Sequence, residues 1–114
     1  MLEKFYESIG GSFRDVMTRI PSEDIIKRFI LKFENDESYK NAAAAFAQGN
    51  ITEAFLAAHT LKGVAKNLGF DRLGDAASNL TEALRNAQAL PPDELLTQVT
   101  EEYNTVIDAI KLLK

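Results

Sequence analysis

Along the whole chain the apolar positions return every three or four residues, the period of a helix with one buried face, and no segment alternates like a strand. In "LEKFYESI" the stripe is Leu2, Phe5 and Ile9, and Gly10-Gly11 ends it. Ser12 is placed to cap a second short helix carrying Phe13, Val16, Met17 and Ile20, which Pro21 stops. Ser22 opens the next helix, with Glu23 and Asp24 in the first turn, where the helix dipole favours acids. Its stripe is Ile25, Ile26, Phe29, Ile30 and Phe33, then Tyr39, Ala42, Ala43 and Phe46. That stripe keeps register across "ENDES" and predicts one long helix to about residue 48, with a kink near Asn35.

Gly49 closes that helix and Asn50 starts another, where "NITE" resembles a capping box with Glu53 reaching back to the Asn50 amide. This helix runs to Leu68 and stops at Gly69. Asp71 is predicted to cap a helix with a heptad of Leu73, Ala77, Leu80, Leu84 and Ala87, broken by Pro91-Pro92. A last helix carries Leu95, Leu96, Val99, Tyr103, Val106, Ile110 and Leu113. Four substantial amphipathic helices with short connections predict an all-α fold. The expected architecture is an antiparallel up-down four-helix bundle over 22–113, with the short helices of 1–21 covering one end. At 114 residues, one domain over 1–114 is expected.

Composition narrows the function. Hydrophobic residues make up 46% and charged residues 26%, a globular balance, and there is no cysteine for a disulfide or thiolate metal site. Seventeen acids against 13 bases leave a net charge of −4, which speaks against a nucleic-acid binder. No apolar run reaches the length of a signal peptide or membrane span, so a cytoplasmic protein is expected.

The chemistry centres on one residue. His59 is the only histidine, and it sits in the alanine- and leucine-rich helix of residues 51–68. Ile51, Ala54, Phe55, Ala58, Leu61, Ala65 and Leu68 form the buried side, and His59 lies about 120° from its centre. The imidazole is therefore expected at the exposed edge, on a flank with Thr52, Leu56, Lys62, Gly63 and Lys66 and without a carboxylate. A lysine three residues on lies beside the ring, where it disfavours a further positive charge and stabilises an anion attached to the ring. Glycine inside a helix costs about 0.5–1 kcal/mol relative to alanine, and clearance for something approaching the ring is one reason to accept that cost. An exposed imidazole, flanking ammonium groups and a cleared approach suit reversible attachment of a phosphoryl group. On these features alone, a lone histidine on a helix surface is more often only a solvated polar residue.

The stretch "AAHTLKGVAKNLGFDRLGDAASNLTEAL" resembles the core of a histidine-containing phosphotransfer (Hpt) domain, matching at His59, Leu61, Lys62, Gly63, Asn67, Leu68 and Gly69. The resemblance extends over about residues 13–110. It implies a phosphocarrier without autonomous kinase activity. Such a carrier accepts a phosphoryl group from a receiver-domain aspartyl phosphate and passes it to another receiver aspartate. On that reading His59 is the nucleophile, Lys62 steadies the transferring oxygens, and Gly63 leaves room for the receiver's loops. No cofactor is implied for this chain, and Mg²⁺ is expected on the receiver. Leu56 would be a docking contact, with Thr52 and Thr60 around it. Lys66 and, on the next helix, Arg85 would add positive charge. The implied partners are response-regulator receivers and a hybrid sensor histidine kinase, with the chain a free-standing monomer that binds neither membrane nor nucleic acid.

Three other readings compete. A metal-binding bundle needs histidines and glutamates from several helices, and this chain has one histidine. The aromatic stripe of Phe29, Phe33, Phe46 and Tyr103 could line a ligand pocket but is explained more simply as core. The runner-up is an adaptor that keeps the Hpt fold to bind a receiver or sensor without carrying phosphate.

Overall fold

A computed structural model describes residues 2–114 and shows seven α-helices, with no strand among the described residues. They are α1 (Leu2–Ile9), α2 (Phe13–Arg19), α3 (Glu23–Phe33), α4 (Ser38–Ala47), α5 (Ile51–Asn67), α6 (Asp71–Leu84) and α7 (Asp93–Leu113). Helices α4 to α7 pack each on the next, and α7 returns to α4, which closes a four-helix ring. The core is the inward stripe of these helices, including Phe46, Leu61, Leu73, Leu80, Val106 and Ile110.

Most punctuation foreseen from the sequence forms. The Ser12 hydroxyl accepts the Asp15 N–H at 3.1 Å, and the Ser22 hydroxyl accepts that of Ile25 at 3.4 Å. Gly49 turns the chain with a φ of +72°, and Asn50 Oδ1 accepts the Glu53 N–H at 3.1 Å. The second arm of the expected capping box is missing: the Asn50 N–H donates to the Ala45 carbonyl at 2.9 Å instead.

The long helix expected over 22–48 is two helices. After Phe33 the chain turns, and Asp36 Oδ1 takes the Ser38 N–H at 2.8 Å as α4 begins. A run of Glu34, Asn35, Asp36 and Glu37 offers side-chain partners that compete with the helix ladder, and the apolar period is blind to that competition. Beyond the break Tyr39 stacks on Tyr103 with ring centroids 4.1 Å apart, while Phe33 meets the same ring at 5.9 Å. Ile26, Ile30 and Phe33 are buried, but Ile25 and Phe29, expected in the core stripe, are each 39% exposed.

Two boundaries of α6 also differ. Asp71 is the helix's first residue and makes no capping bond. The helix ends at Leu84, well before Pro91-Pro92, because Asn86 adopts a left-handed φ of 55°, which asparagine tolerates better than most residues. Ala87 therefore lies outside the helix.

The short N-terminal helices close the bundle at the α5–α6 turn. The Tyr6 hydroxyl donates to the Leu68 carbonyl at 2.7 Å, and the Ser12 N–H donates to that of Gly69 at 3.1 Å. The Arg19 guanidinium donates to the Lys66 and Asn67 carbonyls at 3.0 and 3.1 Å. A helix C-terminus leaves its last carbonyls without helical partners, and here α1 and α2 supply partners for the end of α5. Phe70, fully buried in the turn, meets Phe5, Tyr6 and Phe33 ring to ring.

Candidate functional site

Helix α5 packs close to its neighbours because its buried face is small: Ala54, Ala58 and Ala65, with only Leu61 large. Small residues let α4 and α6 approach, so side chains on α6 reach the outer flank of α5. His59 is exposed on that flank, as its angular position predicted. Its ring lies nearly parallel to that of Phe55, one turn earlier, with a 6° interplanar angle and centroids 6.0 Å apart. Phe55 thus braces one side of the imidazole.

The surroundings are only partly those expected. Lys62 is half-buried and makes no ion pair with a described residue. At Gly63 an added Cβ would meet nothing within 4 Å, so no contact inside the chain demands a glycine there. Lys66 is drawn away from the ring: its ammonium pairs with Asp75 on α6, and its stem lies across Gly74. Arg85 sits with its guanidinium 5.0 Å from the centre of the Phe55 ring and holds the Glu82 carboxylate at 3.0 Å. Thr52 lines a shallow recess with Phe55 and Arg85. Leu56, 51% exposed, and Thr60 line a hollow of about 420 Å³ between α4 and α5, and the Thr60 hydroxyl donates to the Leu56 carbonyl. The structure thus gathers His59, Lys62, Gly63 and Arg85, puts Leu56 and Thr60 to one side, and commits Lys66 elsewhere.

The expectation that no carboxylate shares the site is corrected by α6. The Glu82 carboxyl is held below the usual carboxylate range, first by its hydrogen bond from Arg85, then by the charges of Arg85, Lys62 and His59. Glu82 thus lies within electrostatic range of Lys62 and His59. Sequence reading missed it because its closeness comes from packing of α6 on α5. It also missed Phe29, which was assigned to the core. Phe29 rims a hollow of about 310 Å³ with Lys32, Val64 and Asn67, and the last two follow Gly63 along α5.

A scan against protein-family models matches the Hpt domain over residues 30–109. That span holds α4, α5 and α6, most of α7, and His59, well over half of the chain. The chain belongs to the Hpt domain family. Hpt domains act in phosphotransfer signalling in two-component systems, as phosphocarriers that interact with receiver domains and kinases. The family span leaves out α1, α2 and the start of α3, and α1 and α2 lie against the α5–α6 turn. The comparison with curated proteins and the comparison with solved structures each return no match. No described helix is long and apolar enough to cross a membrane, and no group of three metal-ligating side chains gathers among the described residues.

Proposed function

We propose that this Hpt domain is a phosphorelay intermediate that carries a phosphoryl group on His59 between receiver aspartates. The observation that supports this most is an exposed imidazole with Lys62 at i+3 and open space over Gly63. In the transfer, the Nε2 lone pair of the neutral ring attacks the phosphorus of a receiver's aspartyl phosphate in line. The P–O bond breaks, its electron pair returns to the aspartate carboxylate, and the ring keeps its Nδ1 proton. The step back onto a second receiver is the reverse. The Lys62 ammonium neutralises charge on the transferring oxygens, and the receiver supplies the aspartate and Mg²⁺. Phosphoryl transfer is mostly positioning and charge neutralisation, so a rigid helix presenting one imidazole can serve as half of an active site.

The docking face on this reading combines Leu56 and the Phe29 hollow on either side of Gly63, with Thr52 and Thr60 at its margin. Helices α1 and α2 belong to the same working unit, because they hold the C-terminal end of the helix that bears His59. The chain would act as a monomer in the cytoplasm, between a hybrid sensor kinase and a separate response regulator, and would have no kinase activity of its own.

The test is a relay between two receivers. One receiver is phosphorylated by a small phosphodonor, freed of donor, and mixed with a second receiver, with and without the chain. Label reaching the second receiver only with the chain, and not with His59→Gln, supports the carrier. Binding of both receivers without transfer establishes the adaptor reading instead.

A further inference from the structure

The pairing of Lys66 with Asp75 sets a register of α5 against α6, and carried along the two helices that register places Glu82 opposite His59. Lys66 on α5 pairs with Asp75 on α6. The two helices run antiparallel, joined by a tight turn at residues 68–70, so seven residues back along α5 match seven residues forward along α6. That shift carries Lys66 to His59 and Asp75 to Glu82. Arg85, one turn beyond Glu82, lies over Phe55, one turn before His59, which checks the register independently. An imidazole thus stands where the neighbouring pair has an ammonium, and its opposing carboxylate is turned to Arg85, with Nε and Nη2 at 3.3 and 3.0 Å from its two oxygens.

This geometry has one consequence once the ring carries a dianion. The phosphoryl group competes with Glu82 for the same guanidinium and is repelled by Glu82 itself. We propose that Glu82 is a positioning residue that restrains Arg85 in the free protein and, by giving it up to the phosphoryl group, tunes how firmly His59 holds phosphate. The inference rests on the phosphocarrier reading and adds a regulator of the same site. The Phe55 ring stands near both groups, with the Arg85 guanidinium 5.0 Å and the imidazole 6.0 Å from its centre. Both members of the Glu82–Arg85 pair are about half exposed, so water and salt screen the exchange and its effect is modest. A modest effect suits a carrier, which must neither refuse the phosphoryl group nor trap it.

The test uses phosphoramidate, which needs no docking partner. The ring nitrogen takes the phosphoryl group, the P–N bond of the donor breaks, and ammonia leaves with the electron pair. Phosphorus NMR at a fixed phosphoramidate-to-ammonia ratio gives the equilibrium fraction of phosphohistidine. Glu82→Gln is expected to raise the phosphohistidine-to-histidine ratio roughly two- to five-fold, and Glu82→Asp to restore most of the original value. Arg85→Gln should lower the ratio, and in that background Glu82→Gln should have a clearly smaller effect. An unchanged or lowered ratio in Glu82→Gln overturns the proposal. So does an equal rise with and without Arg85, which would make Glu82 a simple repelling charge. Thermal unfolding of each variant separates these readings from a structural loss. If the wild-type chain takes no phosphoryl group that His59→Gln lacks, the carrier reading fails and this inference falls with it. If His59 is labelled but Glu82→Gln is silent, only the inference falls.

Discussion

Gly63→Ala separates folding from function. The added Cβ would enter open space on a regular helix, so nothing in the chain resists it. Replacing a helical glycine by alanine gains about 0.5–1 kcal/mol, chiefly by narrowing the unfolded ensemble. An unfolding entropy of about 2.1 cal/mol/K per residue makes each kcal/mol worth roughly 4 °C for a chain of this size. The variant should therefore melt about 2–4 °C higher than the wild type, followed by circular dichroism. Phosphotransfer from a receiver should move the other way. A methyl pushed into a closely packed interface costs about 1–3 kcal/mol, so the rate constant for receiver-to-chain transfer should fall roughly five-fold or more. Gly63→Gln should lose further. Labelling by phosphoramidate, which needs no docked surface, should be unchanged in Gly63→Ala. A lower melting temperature would refute the claim that the glycine has no internal role. A higher melting temperature with full receiver transfer would refute the clearance argument.

Four further substitutions have outcomes set by the geometry. Tyr6→Phe removes a buried hydrogen bond to the end of α5 and should cost about 1–3 kcal/mol in urea unfolding. Burial lifts the Tyr6 hydroxyl well above the usual tyrosine value of about 10, so its contribution is complete below that pH and lost as pH rises above it. Loss of stability through the alkaline range should accordingly be shallower in Tyr6→Phe. Gly11→Ala would place a Cβ 2.3 Å from the Gly69 carbonyl oxygen and 2.9 Å from the Tyr6 ring, so it should destabilise by about 1–3 kcal/mol by the same measurement. Lys62→Ala should slow receiver transfer about ten-fold, the scale of one lost charge-assisted contact. Lys66→Ala, whose ammonium is held by Asp75, should stay within about two-fold in the same assay.

The parts of the structure legible in the sequence are those set locally. The Ser12, Ser22 and Asn50 caps, the Gly49 turn and the outward angle of His59 all follow from residue type and helical period. The α3–α4 break escaped because the apolar stripe crosses it in register, while the polar side chains of residues 34–37 decide the backbone. The end of α6 was assigned to the prolines, the stronger signal in a sequence, although Asn86 turns the chain first. At the site, the misses are all between helices. The periodicity of α5 cannot show that Asp75 captures Lys66, that Arg85 lies over Phe55, or that Glu82 comes within electrostatic range of His59, because each depends on how α6 packs. Ile25 and Phe29 were misplaced for the same reason, since their burial depends on which neighbours α3 meets and the period of α3 alone does not show that.

The central claim is that His59 carries the phosphoryl group. It is tested most directly by the intact mass of the chain after mixing with a phosphorylated, donor-free receiver. The account predicts the added mass of one phosphoryl group, lost on brief acid treatment and absent in His59→Gln. An acid-stable addition, an addition that persists in His59→Gln, or no addition while the receiver binds would contradict it.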